Sequence, residues 1–196
     1  HLFQPISNVA LSVMFQWGVA LHDLDVERNM RTPEGRSEIR VRSGPFLRKA
    51  ARQLFKDYVF FPVIALGNAP RVLLGNLAAN LARNVWTNVI IFCGHFPDGT
   101  RVYTEEETTG ETRGEWYLRQ MEGSANIEGS RWFHVMTGHL SHQIEHHLFP
   151  DMPAHRYAEI APRVRAICEK YGIRYNTGSF WKQYGSVLTG LVRRSV

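Results

Sequence analysis

Apolar residues are concentrated in two long stretches, separated and followed by heavily charged sequence. Leu2 to Leu21 contains no charged residue, and Val72 to Gly94 contains only Arg83. Each comes near the ~20 apolar residues that a helix needs to span a bilayer, so each predicts a long helix and a candidate membrane crossing. Neither stretch is apolar all round. Gln4, Asn8, Ser12 and Gln16 recur four apart, as do Asn76, Asn80, Asn84 and Asn88. That spacing places polar groups along one side of a helix, which suits a helix packed in a bundle or lining a cavity. Hydrogen bonding between helices accounts for the asparagines. The other reading is a polar face leading toward His95, seven residues beyond Asn88.

The remaining pattern predicts shorter elements. Residues 22–56 are rich in charge, with Thr32-Pro33-Glu34-Gly35 as a turn and an amphipathic run from Phe46. Tyr58 to Gly67 is apolar but only about half a span, consistent with an interfacial or re-entrant segment. Asn68-Ala69-Pro70 should turn the chain. Residues 97–130 are polar and glycine-rich, with a short packed helix around Trp116, Leu118 and Met121. Arg131 to Phe149 predicts one helix, stopped by Pro150, which disfavours helical geometry at Phe149. From Pro153 to Tyr171 the apolar positions follow i, i+3, i+4, i+7; Pro162 should bend this helix and Gly172 end it. Arg156, Arg163, Arg165 and Lys170 lie off that stripe and read as a solvated face. The whole is an all-α pattern, divided at residue 96 into an apolar region (1–96) and a polar one (97–196).

The number of crossings stays open. If both long stretches cross once, the arginine-rich segment 22–56 lies opposite the later histidines, against the preference for basic loops in the cytosol. The formal charge of +5 and pI near 9.5 come from scattered residues with no nucleic-acid-reading motif, so no nucleic-acid partner is expected. Anionic headgroups, an acidic protein donor or a phosphorylated substrate would use the same charge. Cys93 and Cys168 have no framework spacing and read as small apolar residues in a reducing compartment. The first residue is not methionine and no signal-peptide pattern opens the chain, so the sequence reads as part of something longer.

Histidine is where the chemistry concentrates. Six of the nine histidines lie between residues 134 and 155, the tightest group being His142-Gln143-Ile144-Glu145-His146-His147-Leu148-Phe149-Pro150. Imidazole is the commonest protein metal ligand and suits iron, zinc and copper. On one helix Gln143 would line up with His146 and His147, His142 with His146, and His139 with the same stripe. A solvated polar face is the bland alternative, and the density of the cluster favours metal ligation.

Gln143 to Pro153 resembles the third histidine box of membrane fatty-acid desaturases, in the subgroup with glutamine at the box's first position. Gly94-His95-Phe96-Pro97 looks like the lone histidine after the last membrane helix. Gly114 to Gln120, Ser124-Ala125-Asn126 and His22-Asp23-Leu24 also fit, and the likeness is greatest to actinobacterial acyl-CoA desaturases. The resemblance implies an integral membrane helical bundle with a cytosolic helical cap carrying the histidines. It implies a non-haem di-iron centre, O2, and reducing equivalents from a ferredoxin-, reductase- or cytochrome b5-type donor. The reaction would be desaturation of an acyl-CoA or acyl-lipid. His95, His146 and His147 match the ligands and Gln143 the box's first position, with His142 and His139 ranked lower. Glu145 or Asn126 could orient a ligand, an ordinary exposed carboxylate being the other reading of Glu145. The family's two earlier boxes, HxxxH and HxxHH, do not occur here, so the chain is expected to be a C-terminal half that is inactive alone. A lipid hydroxylase and a non-catalytic metal-binding membrane fragment are the competing readings.

Overall fold

The computed structural model describes residues 4–195. It is mostly helical, and it divides into two compact units, one comprising Asn8–Trp86 and the other comprising the residues up to Ser7 together with those from Thr87 onward.

In the first unit the opening apolar stretch is not one helix. It forms α1 (Gln4–Val13) and α2 (Phe15–Asp23), with Met14 between them; the start of the predicted stretch lies outside the described residues. At 1.5 Å per residue each is roughly half a bilayer long. After the single turn of α3 (Val26–Asn29), Thr32 to Gly35 is a helix start, not a turn: Thr32 Oγ1 accepts from Gly35 N at 3.1 Å and Pro33 takes the first position of α4 (Pro33–Phe55). Proline is at home there because the N–H it lacks has no partner within the helix. The apolar run at 58–67 breaks into a wide turn at Lys56–Phe60, α5 (Phe61–Ile64) and a tight turn at Leu66–Asn68.

The long helix α6 (Ala69–His95) then begins where a turn was expected, and it carries the asparagine stripe. Asn76 Nδ2 donates to Asp57 O at 2.5 Å and Asn80 Nδ2 to Asp57 Oδ2 at 3.2 Å. Asn84 Nδ2 donates to Val13 O at 2.8 Å. Hydrogen bonding between elements therefore explains these three. Among the described residues no helix is long and apolar enough to cross a membrane, so neither candidate crossing is seen as one continuous apolar helix. The first stretch is divided, and α6, which holds the second, interleaves its apolar residues with asparagines, Arg71 and Arg83.

The second unit holds the histidines. Helices α7 (Glu105–Thr108) and α8 (Arg113–Glu122) both open on capping boxes, Thr104 with Glu107 and Thr112 with Glu115. The predicted 131–149 helix is broken. Gly138 and His139 have φ of 60° and 62°, a left-handed pair that ends α9 (Arg131–Met136) and restarts the chain as α10 (Gln143–Leu148). His139 and His142 are thereby removed from the stripe of His146. Phe149 leaves the helical region, with φ of −136° and ψ of 64°, consistent with the restriction that Pro150 places on it. α11 (Tyr157–Tyr171) keeps Pro162 inside it and ends at Gly172 with φ of 67°, where Ile173 N returns to Cys168 O at 2.8 Å.

Three elements are not foreshadowed by the sequence pattern. α12 (Phe180–Ser195) closes the described chain. A short parallel pair, β1 (Asn126–Glu128) with β2 (Thr177–Ser179), registers Asn126 opposite Thr177, so the unit is not purely α. α8, α10 and α11 enclose a core of Met121, Ile144, Leu148, Val164 and Cys168, with Tyr117, Leu118, Ile173 and Tyr175 packed on it.

Candidate metal centre

His95 is the last residue of α6, and Gln143, His146 and His147 lie on α10. The two helices can meet because residue 94 is glycine. A Cβ at Gly94 would stand 2.9 Å from Gln143 Cγ and 3.2 Å from its Cβ. Ala125 N also donates to Gly94 O at 2.8 Å, tying the end of α6 to the strand that precedes the site. Across this contact His95 Nε2 lies 3.1 Å from His147 Nε2, and Gln143 Nε2 lies 3.5 Å from His95 Nε2.

The outer nitrogen of each ring is engaged. His95 Nδ1 meets Ile91 O at 2.8 Å, and His147 Nδ1 meets Gln120 Oε1 at 3.1 Å. His146 Nδ1 meets Tyr157 Oη at 3.2 Å, and that hydroxyl donates onward to Phe149 O at 3.3 Å. Carbonyl oxygens only accept, and a hydroxyl that donates to a carbonyl has only lone pairs left for its neighbour. All three Nδ1 atoms therefore carry the hydrogen, and all three Nε2 atoms are left with lone pairs. Two lone pairs facing at 3.1 Å repel each other unless a cation lies between them. Two imidazole nitrogens bonded to one ion at about 2.1 Å would stand about 3.0–3.4 Å apart, which matches. Gln143 Oε1 is buried without a partner among the described residues, a second acceptor suited to a cation. The donor set is thus consistent with a metal ion held by His95, His147 and Gln143, with His146 beside them. Burial, and then the charges of His95 and His146, push His147 down to about 4. His146 is lowered by burial and then by His95. Both are neutral, ligand-ready imidazoles at neutral pH.

Among the described residues no group of three histidine, cysteine or acidic side chains is arranged to hold an ion by itself. His142 faces elsewhere: its ring lies 4.6 Å from that of His134, tilted 31°. His142 and His134 line a separate cavity of about 480 Å³ with Arg165, Glu169 and Tyr175. Burial, then His134 and His139, push His142 down to about 4. His139 Nδ1 and His142 Nε2 are buried without partners among the described residues, yet neither ring is brought to His95.

Glu145 is fully buried, which removes the reading of an exposed carboxylate. It accepts from Asn126 Nδ2 and from Tyr175 Oη, each at 2.8 Å, and burial raises its carboxyl above the usual range. The side chains that hydrogen-bond the imidazoles directly are Gln120, to His147, and Tyr157, to His146. Neither was singled out by spacing: Gln120 lies 27 positions before its partner, and Tyr157 was read as part of a helix's apolar stripe.

The Gly94 contact gives a direct test. Gly94→Ala adds a methyl group against Gln143 Cγ and Cβ, and the Cβ is fixed by the α10 backbone. Overpacking of this kind costs about 1–3 kcal/mol, and alanine's better helix propensity offsets about 1 kcal/mol of it. The variant should be slightly less stable in urea and should bind Co(II), a spectroscopic stand-in for iron, about tenfold more weakly. Wild-type affinity would show that Gln143 is not held there by the close approach.

The fatty acid desaturase family model matches residues 9–179. The chain is 44% identical over 200 residues to the NADPH-dependent stearoyl-CoA 9-desaturase of Mycobacterium tuberculosis, covering 100% of this chain and 47% of the relative. It is 33% identical over 121 residues to human fatty acid desaturase 3, covering 62% of this chain and 25% of that protein. Against the bovine protein of the same name the figures are 35% over 111 residues, 57% and 23%. The chain therefore spans about half the length, or less, of these curated relatives. No solved structure matches it. The residues matched take in the close approach of His95 and His147 as well as most of the helical chain, and the chain belongs to the fatty acid desaturase family.

Proposed function

We propose that this chain provides the third-box side of an O2-dependent acyl-CoA desaturase, with His95, Gln143, His146 and His147 as its contribution to a di-iron centre. The observation that carries this reading is the 3.1 Å approach of the His95 and His147 Nε2 lone pairs. Iron bound there would supply O2 activation at neutral imidazole ligands. In the overall balance an acyl –CH2–CH2– becomes –CH=CH–, and O2 takes up those two hydrogens, two electrons and two protons to give two waters. This chain's own residues bind and orient. Ile91 O, Gln120 and Tyr157 hold the three Nδ1–H groups, so each ring presents Nε2 in one tautomer, the usual task of groups behind metal ligands.

Three imidazoles and an amide do not complete two iron sites, and the remaining ligands would come from sequence matching the other half of the relatives. The electrons would come from a ferredoxin-, reductase- or cytochrome b5-type donor, NADPH being the ultimate source suggested by the mycobacterial relative's name. Membrane association, with the site on the cytosolic side, belongs to the same reading and is supported by the family resemblance.

The test is a chimera in which this chain replaces the matching 47% of the mycobacterial relative, assayed with stearoyl-CoA and NADPH. A monounsaturated product that disappears in the His147→Ala chimera is expected. A hydroxylated product would assign the site to oxygenation, and no loss on His147→Ala would remove the histidine from the reaction.

A further inference from the structure

We infer that Asn126, Glu145 and Tyr175 form a positioning clamp that sets where α10 presents Gln143 and His147 to His95. The inference rests on the metal-site reading above. α10 has six residues, far below the ~12–15 at which an isolated helix becomes even marginally stable, so tertiary contacts must decide its placement. The apolar side is held by Ile144 and Leu148 in the core. The polar side is held by these three residues. Asn126 Oδ1 accepts from Ile144 N at 2.9 Å, and Asn126 Nδ2 contacts Glu145 Oε2 at 2.8 Å and Tyr175 Oη at 2.6 Å. Tyr175 Oη donates to Glu145 Oε1 at 2.8 Å. Every polar atom of the three side chains is engaged.

The clamp is itself anchored to the parallel strand pair. Asn126 N donates to Asn176 O at 2.9 Å, and Asn126 O accepts from Gln183 Nε2 at 3.1 Å. Strand register thus brings residues 126 and 175 together against α10. Among the described residues none of the three side chains hydrogen-bonds His95, Gln143, His146 or His147. They act through the backbone that carries the ligands. His142 Nδ1 lies 3.9 Å from Glu145 Oε2, too long for a hydrogen bond, and the guanidinium of Arg165 lies over the Tyr175 ring at 5.2 Å. A buried carboxylate held chiefly by neutral hydrogen-bond donors is an expensive way to fill a core that an apolar side chain could fill. Directional hydrogen bonds to both ends of the carboxylate fix the helix in a way that apolar packing would not.

The test compares Co(II) binding to the whole chain with that of Tyr175→Phe and Glu145→Gln, using visible absorption for ligand geometry and far-UV circular dichroism for folding. His147→Ala serves as the control that assigns the ion to this site. Tyr175→Phe should keep the wild-type helicity, bind Co(II) about tenfold more weakly, the low end of what such supporting groups are worth, and show an altered visible spectrum. Glu145→Gln, with one acceptor retained, should fall between. If wild type binds in a His147-dependent manner and both variants match its affinity and spectrum, the clamp alone is wrong. If both variants unfold, the three residues are structural and the positioning role is overturned. If wild type binds no Co(II), the ligand reading fails and this inference goes with it.

Discussion

Replacing His147 with alanine is expected to lower the Co(II) affinity of this chain by more than about 100-fold, beyond the 10–100-fold that groups behind a ligand are worth. His147 supplies one of the two Nε2 lone pairs that meet at 3.1 Å. Without it His95 faces only the Gln143 amide. His142→Ala is the informative comparison. Sequence spacing puts both histidines in one stripe, but the His142 ring stacks near His134 at 4.6 Å and should leave affinity within a few-fold of wild type. Titration of both variants, followed by visible absorption, separates the two histidines. Equal losses would mean that the ion sits among the 134–142 group, and unchanged binding in His147→Ala would refute the site.

Ile144→Ala is expected to destabilise the unit by about 2–5 kcal/mol, the range for removing a buried large aliphatic side chain. Ile144 is fully buried and packs with Met121, Leu148, Val164 and Cys168. It sits between Gln143 and Glu145, so its loss leaves a cavity under the helix that presents the ligands. Against a total domain stability of about 5–15 kcal/mol, this is a large fraction. Urea unfolding measures it, with Ile144→Val, at about 0.5–1.5 kcal/mol, as the graded control. A loss below that of the valine variant would mean that α10 is not seated on this core.

The legible parts of this protein are those carried by short-range pattern. The i, i+3, i+4 stripe between residues 153 and 171 became α11, and Gly172 ended it in the left-handed conformation foreseen for it. Pro150 stopped the histidine segment through the backbone of Phe149. Gln143, His146 and His147 share six residues of one helix, and His95 ends another, as their surroundings in the sequence suggested. Reading failed where two local signals competed. Thr32-Pro33 carries the residues of a turn and of a helix start, and the side-chain cap onto Gly35 N decided for the helix. Residues 131–149 have helical spacing throughout, but Gly138 allows a left-handed step that His139 follows. One break then moved His139 and His142 away from His146.

By itself the sequence determined which side chains could bind a metal, the helices that carry them and the family to which they belong, because residue type and helical periodicity act over a few positions. Only the tertiary structure decided which of the histidines meet. His95 reaches His147 across 52 positions and His147 reaches Gln120 across 27; Glu145 reaches Tyr175 across 30. Contacts at such separations depend on helix packing, on the missing Cβ of Gly94 and on the register of two three-residue strands, and none of these leaves a periodic trace along the chain.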